Sequence, residues 1–463
     1  MNELNVVAPY NHQHLKSYPL SDATAAFAML DQAQKIFANR DQWLQPYERK
    51  TILQDCLILL TQRKQEFAVT AAQEGGKPLI DSLIEVERAI LGIQIAIEEI
   101  SHMTGREIAM NQTPGSVGRM AYTYREPGGV VLAISAFNHP LNLIIHQVIP
   151  AIAVGCPVIV KPASSTPISC FNLIELLYQA GLPKAWCQAL VCKSDVAEQL
   201  VKDPRVSFLS FIGSARVGWH LRSILAPGAH CALEHGGAAP VIVAADADLE
   251  TALPLLVKGG FYHAGQVCVS VQRVFADKKI ANSLAKRMAK LAEQLQVGDP
   301  TDSKTEVGPL IDPKEVDRVA LWVDEARKAG AKVLSGGERI SKTCYAPTVL
   351  LDPPMDAKVS QAEIFGPVVC VYSYDDRLQA IQLANQLPFL FQASVFTQDL
   401  NVALDSVKRL QATAVMINDH TAFRVDWMPF GGRRESGLGF GGIPYSMHDM
   451  SYEKMLVMKS PLL

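Results

Sequence analysis

Two segments of this 463-residue chain carry side chains able to form and break a covalent bond to a substrate. In FYHAGQVCVSVQR, residues 261–273, Cys268 follows a small, polar Ala-Gly-Gln turn and precedes a β-branched run. A cysteine at a loop-to-strand junction can be exposed enough to act as a thiolate nucleophile. In CALEHGG, residues 231–237, Glu234 ends an apolar stretch and abuts two glycines, where the backbone can approach a ligand or another chain closely. A glutamate so placed can serve as a general base that activates water. Each feature alone has a plainer explanation. Most of the nine cysteines should be buried apolar fillers. A lone Glu is more often a cap or half of an ion pair.

The elements needed to position these groups read as alternating α and β. Ser21-Asp22 can cap a helix whose apolar residues Ala23, Ala26, Phe27 and Leu30 fall at i, i+3, i+4 and i+7. Residues 47–73 and 79–100 continue with helical spacing, and 110–126 change to a polar, partly alternating, ribbon-like stretch. From Gly128, apolar runs (GGVVLAISAF, PVIVKPAS, QALVCK, RVSFLSFIGS) alternate with helical segments over 141–153, 167–181 and 194–202. Continuous apolar strands between helices predict a parallel sheet covered on both faces, with nucleotides bound at its carboxyl ends. A second series starts near Ala239. Its runs are PVIVAA, VQRVFAD, YAPTVLL, VVCVYSY and ASVFT, with helices near 248–260, 279–295, 313–330 and 376–386. The stretch MSYEKMLVMK reads as a strand that joins another sheet, the ribbon of 110–126 in a partner subunit being the candidate.

Composition narrows the classes. The length suggests two or three domains. With 43 basic and 46 acidic residues and a net charge of -3, nothing advertises nucleic-acid binding. The nine cysteines lack zinc spacing, and Cys187 and Cys192 are too isolated to build a tetrahedral site, so no metal is expected and the thiols read as reduced in a cytoplasm. The N-terminal stretch has no apolar core of a secretory signal. The mostly apolar segment Leu141–Val160 contains His146, Gln147, Pro150 and Pro157 and is split by a Gly155-Cys156-Pro157 turn. It is expected to be a buried helix followed by a buried strand, not a membrane span.

Together the two chemical segments resemble the aldehyde dehydrogenase superfamily. Gly265-Gln266-Val267-Cys268 is similar to its nucleophile motif and Leu233-Glu234-His235-Gly236-Gly237 to its base motif. The other motifs follow in the family's order. Ser135-Ala136-Phe137-Asn138-His139-Pro140 looks like the oxyanion-hole segment, Val160-Lys161-Pro162-Ala163-Ser164 like the adenosine turn, and Phe211-Ile212-Gly213-Ser214 like the helix start under the pyrophosphate. Glu363-Ile364-Phe365-Gly366-Pro367 looks like the nicotinamide-ribose motif, and Phe430-Gly431-Gly432 with Ser436-Gly437 closes the set. The resemblance implies Cys268 as nucleophile, Glu234 as the base for deacylation and Asn138 as oxyanion donor. It implies Ser135, Phe137, Lys161, Ser164, Gly213, Ser214, Glu363 and Phe365 as cofactor contacts. NAD-preferring members usually carry Glu at the position of Ser164. A carboxylate there would repel a 2′-phosphate by about 4 kcal/mol at close range, so its replacement by Ser implies that NADP is accepted alongside NAD.

Residues Asn418–Pro429 resemble a branch that holds lactaldehyde, phosphonoacetaldehyde and non-phosphorylating glyceraldehyde-3-phosphate dehydrogenases. Phosphate-using members clamp the substrate with arginines, of which Arg88 and Arg424 are matched here, while Val267 stands where another would be. Arg88, His139, Val267 and Arg424 are therefore the expected substrate contacts, for a small anionic or hydroxylated aldehyde. Plainer roles for the two arginines are ion pairs, Arg88 with Glu85 or Arg424 with Asp426. The expected layout is a Rossmann-like cofactor domain (1–109 and 127–236), an α/β catalytic domain (237–440) and an oligomerisation ribbon and tail (110–126 and 441–463), assembled as a homodimer or homotetramer. Two other readings stay open: a CoA-acylating dehydrogenase, against which Glu234 argues, and a non-catalytic scaffold, against which the joint presence of Cys268, Glu234 and Asn138 argues.

Overall fold

Continuous apolar runs do become two mostly parallel sheets in the structure, a computed structural model that describes residues 3–463. The first sheet runs in the order Gly437–Leu438, His230–Glu234, Val206–Ile212, Val130–Ile134, Val158–Lys161, Cys187–Ala189. All neighbours are parallel except the short Gly437–Leu438, which pairs antiparallel with His230–Glu234. Val130–Ile134 has later strands on both sides, so the strand order reverses around it. In such sheets ligands sit at the carboxyl ends beside that switch. Ser135–Asn138, Gly213-Ser214 and Glu234 all lie at those ends.

Helices cover both faces. Leu79–Glu99, Asn142–Val154 and Ile168–Gln179 share one core, and Ala23–Ala38 and Ser194–Val201 pack on the other face. Asp22 caps Ala23–Ala38 as expected, its Oδ1 accepting from the Ala25 N–H at 2.8 Å. Residues 47–73 form two helices, Pro46–Gln62 and Lys64–Gly75, broken at Arg63. Every residue of Asn142–Val154 is buried, and Val158–Lys161 follows as a strand. Among the described residues no helix is long and apolar enough to cross a membrane.

The second sheet runs Lys332–Ser335, Thr348–Leu351, Val368–Tyr374, Val271–Asp277, Ala239–Val243, Gln392–Phe396, Ala414–Ile417. Only its edge strand Lys332–Ser335 is antiparallel. Its largest core gathers Val274, Phe275, Leu284, Val349 and Val395. The turn that holds Cys268 enters this sheet at Val271, so the two halves meet where Glu234 and Cys268 stand.

The C-terminal strand departs from expectation. Ser451–Lys459 pairs antiparallel with Arg119–Pro127 of its own chain along its full length, not with a partner's ribbon. Pairing in cis needs no second chain because Gly128 N donates to Met450 O, bringing the tail alongside the ribbon. Before it, Ile443–Asp449 forms a helix that packs on Leu79–Glu99 and Asn142–Val154, with Ile443 and Met447 in their core. The structure adds two elements that the sequence pattern did not mark: an N-terminal hairpin, Glu3–Val7 with His14–Pro19, and the helix Leu400–Arg409.

Candidate active site

A cavity of about 640 Å³ opens between the two sheets, and most of the expected site residues line it. Cys268, Glu234, Asn138, Ser135, Phe137, His139, Val267, Gly213, Ser214, Glu363, Phe365, Arg88 and Arg424 all border this one space. Lys161 and Ser164 do not. Lys161 ends the strand Val158–Lys161 and Ser164 lies on the turn that follows, where Ala163 does reach the cavity and Ser164 is exposed.

Cys268 sits on the turn between Tyr262–Gly265 and Val271–Asp277. Burial, then the negative charge of Glu234, pushes its thiol up to about 12. The thiol thus rests protonated near neutral pH, and attack requires a proton acceptor. Glu234 is the nearby candidate. Its carboxylate accepts no hydrogen bond from the described residues, and burial raises its pKa, with Arg424 pulling the other way. A raised pKa makes a carboxylate a better base at neutral pH. Glu234 leans on Gly441, where a β-carbon would lie 2.0 Å from Oε1, so this position has to lack a side chain.

Asn138 donates one side-chain N–H to the Gln266 carbonyl at 2.9 Å. That bond ties the oxyanion segment to the Cys268 turn and leaves the second amide N–H to face a developing charge. The segment itself is held by a buried acid. Glu85 Oε1 accepts from Leu141 N and Asn142 N, both at 2.9 Å, and Oε2 pairs with Lys77 at 2.6 Å, neither side chain exposed. Sequence reasoning missed this pair, although Asp81 and Glu85 on the inner face of a predicted helix were a signal. His139 lies against Tyr262, its Nε2 3.3 Å from the tyrosine oxygen, and burial holds its imidazole neutral.

On the cofactor side, the helix Ala215–Ile224 starts at Ser214 with no side-chain cap and no acid in its first turn. Its free N–H groups therefore face the cavity as an anion site. Glu363 Oε1 accepts from Gly237 N at 3.1 Å and crowds Gly236 so closely that any β-carbon there would overlap its carboxylate. Burial pushes Glu363 up to about 7, leaving an acceptor for a ribose hydroxyl. Phe137 and Phe365 meet edge to face at 5.9 Å. These features fit a dinucleotide: an anion site for its diphosphate, an acceptor for a ribose and an apolar slot beside Cys268. His235, conspicuous in sequence beside Glu234, donates through Nδ1 to the Glu435 carbonyl at 2.8 Å and packs between Phe211 and Trp219.

The two arginines do not pair as expected. Arg88 grips Asp426 bidentately, at 2.6 and 3.1 Å, rather than Glu85. Arg424 has no carboxylate within ion-pair distance among the described residues. Its guanidinium lies 3.6 Å over the Phe430 ring, its Nε has no partner, and burial lowers its pKa. Glu234 and Asp426 act on it only at longer range, so this buried cation keeps donors free to bond a ligand anion.

The sequence model of the aldehyde dehydrogenase family matches residues 1–456. The chain is 40% identical over 414 residues to the 3-sulfolactaldehyde dehydrogenase of Priestia aryabhattai, an alignment covering 89% of this chain and 86% of that protein. Its fold superposes with a TM-score of 0.95 on the aldehyde dehydrogenase ALDH21 of Physcomitrella patens, solved in complex with the reaction product succinate, at 34% identity over 99% of this chain and 95% of that one. It superposes with a TM-score of 0.94 on the glyceraldehyde-3-phosphate dehydrogenase GapN of Methanocaldococcus jannaschii complexed with NADP, at 34% identity over 99% of this chain and all of that one (100%).

Proposed function

The chain belongs to the aldehyde dehydrogenase family, and from that premise we propose that it oxidises a small aldehyde bearing an anionic group to the carboxylic acid, with NADP or NAD as the electron acceptor. The observation that carries the anionic assignment is the unpaired Arg424 in the cavity wall. The relatives named above support it, since 3-sulfolactaldehyde, succinate and glyceraldehyde 3-phosphate each carry an anionic group.

The residues divide the work as follows. Glu234 takes the Cys268 proton, and the thiolate attacks the aldehyde carbon, forming the C–S bond and an alkoxide. The Asn138 amide and the Cys268 N–H hold that oxyanion. A dinucleotide held in the cavity would supply the acceptor for the hydride lost from that carbon, and Cys268 keeps the oxidised carbon as a thioester. Glu234, its proton shed, then removes one from a water that attacks the thioester, and the Cys268 thiolate leaves as the acid forms. The Ser214 helix start, Glu363, Ser135, Phe137 and Phe365 would hold the dinucleotide, and Lys161 and Ser164 would serve its adenosine end.

Reduced-cofactor absorbance with matched aldehydes tests this reading. Succinic semialdehyde should exceed butanal in kcat/KM by about 30-fold or more, the worth of a charge-assisted hydrogen bond. Equal values would remove the anionic assignment. In the same assay Ser164→Glu should weaken NADP far more than NAD, because only NADP brings a 2′-phosphate to the new carboxylate. Equal losses would remove Ser164 from that role.

The division into cofactor domain (1–109 and 127–236), catalytic domain (237–440) and ribbon with tail (110–126 and 441–463) is supported by the separate cores of the two sheets. The assembly reading is supported by the tail. Among the described residues Ser451–Lys459 has one strand neighbour, so its other edge is unpaired there, and Tyr452, Met455, Leu456, Val457 and Met458 are exposed along the strand. An apolar open edge is a liability that a second copy of the chain removes, giving a homodimer or homotetramer. Light scattering at micromolar concentration should give a multiple of 50.5 kDa, and a monomer mass would refute this.

A further inference from the structure

Asp426 is the hub of a buried cluster that the proposed chemistry does not use. It is wholly buried and receives Arg88 twice, the Asn142 amide at 3.3 Å and His146 Nε2 at 2.7 Å. The other ring nitrogen of His146, Nδ1, lies 3.3 Å from Arg424 Nη2. A guanidinium can only donate, so Nδ1 must accept and the ring proton must sit on Nε2, donating to Asp426. Burial and the Arg424 charge depress His146 to about 4, which keeps this neutral form through the working range. Burial alone would raise Asp426, but His146 and Arg88 hold its carboxyl well below the usual range, so it stays an acceptor.

We propose that His146, held by Asp426, is a positioning residue that aims the Arg424 guanidinium at the anionic end of the substrate. The inference rests on the anionic reading given above. Asp426 selects the His146 tautomer, the tautomer presents a lone pair to Arg424, and the face of Phe430 supports the guanidinium plane. Asp426 is bonded to Arg88 and His146, so Arg424 feels the charges of Glu234 and Asp426 but bonds to no carboxylate, which leaves donors for a substrate anion. The arrangement suits one anionic group, with Arg88 acting through Asp426 as a brace.

His146→Leu removes both bonds while leaving Arg424 in place. Its KM for succinic semialdehyde should rise by about tenfold, the loss expected when a charged group is no longer held in its bound orientation. Its kcat, and its kcat/KM for butanal, should move by no more than about threefold, a split that general unfolding of the site would not produce. His146→Gln, whose amide offers one donor and one acceptor, should recover most of the loss. If the leucine variant does not fold, His146→Met reads out the same split. Arg424→Leu separates the two ideas. If it abolishes the preference for succinic semialdehyde while His146→Leu and His146→Met leave KM within about twofold, the positioning role is overturned and the anionic reading stands. A His146 variant that slows both aldehydes equally also overturns it. If Arg424→Leu leaves the preference intact, both fall.

Discussion

Cys268→Ala should turn over aldehyde at less than about a thousandth of the wild-type rate, because no other group in the cavity can form the thioester. Of the nine cysteines Cys268 alone lines the cavity, and seven of the others are buried: Cys56, Cys156, Cys170, Cys187, Cys192, Cys344 and Cys370. Cys231 is partly exposed but outside that lining. The substitution removes one sulfur beside an open cavity, so the loss should come without a loss of fold, and dinucleotide binding by fluorescence titration should stay near wild type. Retained turnover above about a hundredth of wild type would take the nucleophile role away from Cys268.

Glu234→Gln carries the second large effect. Steady-state turnover should fall by about 10²–10⁴-fold, the range expected for a lost general base. If another base can take the thiol proton once, a burst of reduced cofactor precedes the slow phase and acyl-enzyme accumulates. The pH profile supplies a second readout. Glu234 must be ionised to accept a proton, and burial raises its pKa above that of a free carboxylate. Wild-type turnover should therefore fall with decreasing pH at a higher pH than an exposed Glu would set. That limb should be absent in the variant, which has no carboxylate to protonate there.

The groups that could be read from sequence share a property: each sits on a short, strongly marked segment. Cys268 and Glu234 announced themselves by turn residues and glycines, and their strands by unbroken apolar runs such as Val271–Asp277, buried almost throughout. Ser214 was legible as a helix start through the resemblance of Phe211-Ile212-Gly213-Ser214 to the family's pyrophosphate motif. What stayed hidden depends on distant pairing. Asp426 and His146 are 280 residues apart, and nothing local in either segment specifies the bond between them. The same holds for Arg88, because the acid one helical turn before it, Glu85, is already taken by buried Lys77 and the Leu141 and Asn142 amides. The strand character of Ser451–Lys459 was legible from its β-prone run, but its partner was not, because pairing in cis or in trans satisfies the same pattern. The helix Leu400–Arg409 was overlooked though Asp399 caps it through Asn401 N and Val402 N, a signal present in the sequence.

The central claim is that Cys268 carries the substrate as a thioester that Glu234 helps water to release. Wild-type enzyme mixed with succinic semialdehyde and NADP, quenched within one turnover and digested, should yield a peptide containing Cys268 whose mass is increased by the succinyl group. The same peptide from Cys268→Ala should carry nothing. An unmodified Cys268 peptide from wild-type enzyme quenched while reduced cofactor is forming would contradict the account, because the aldehyde would then have been oxidised without passing through the thiol.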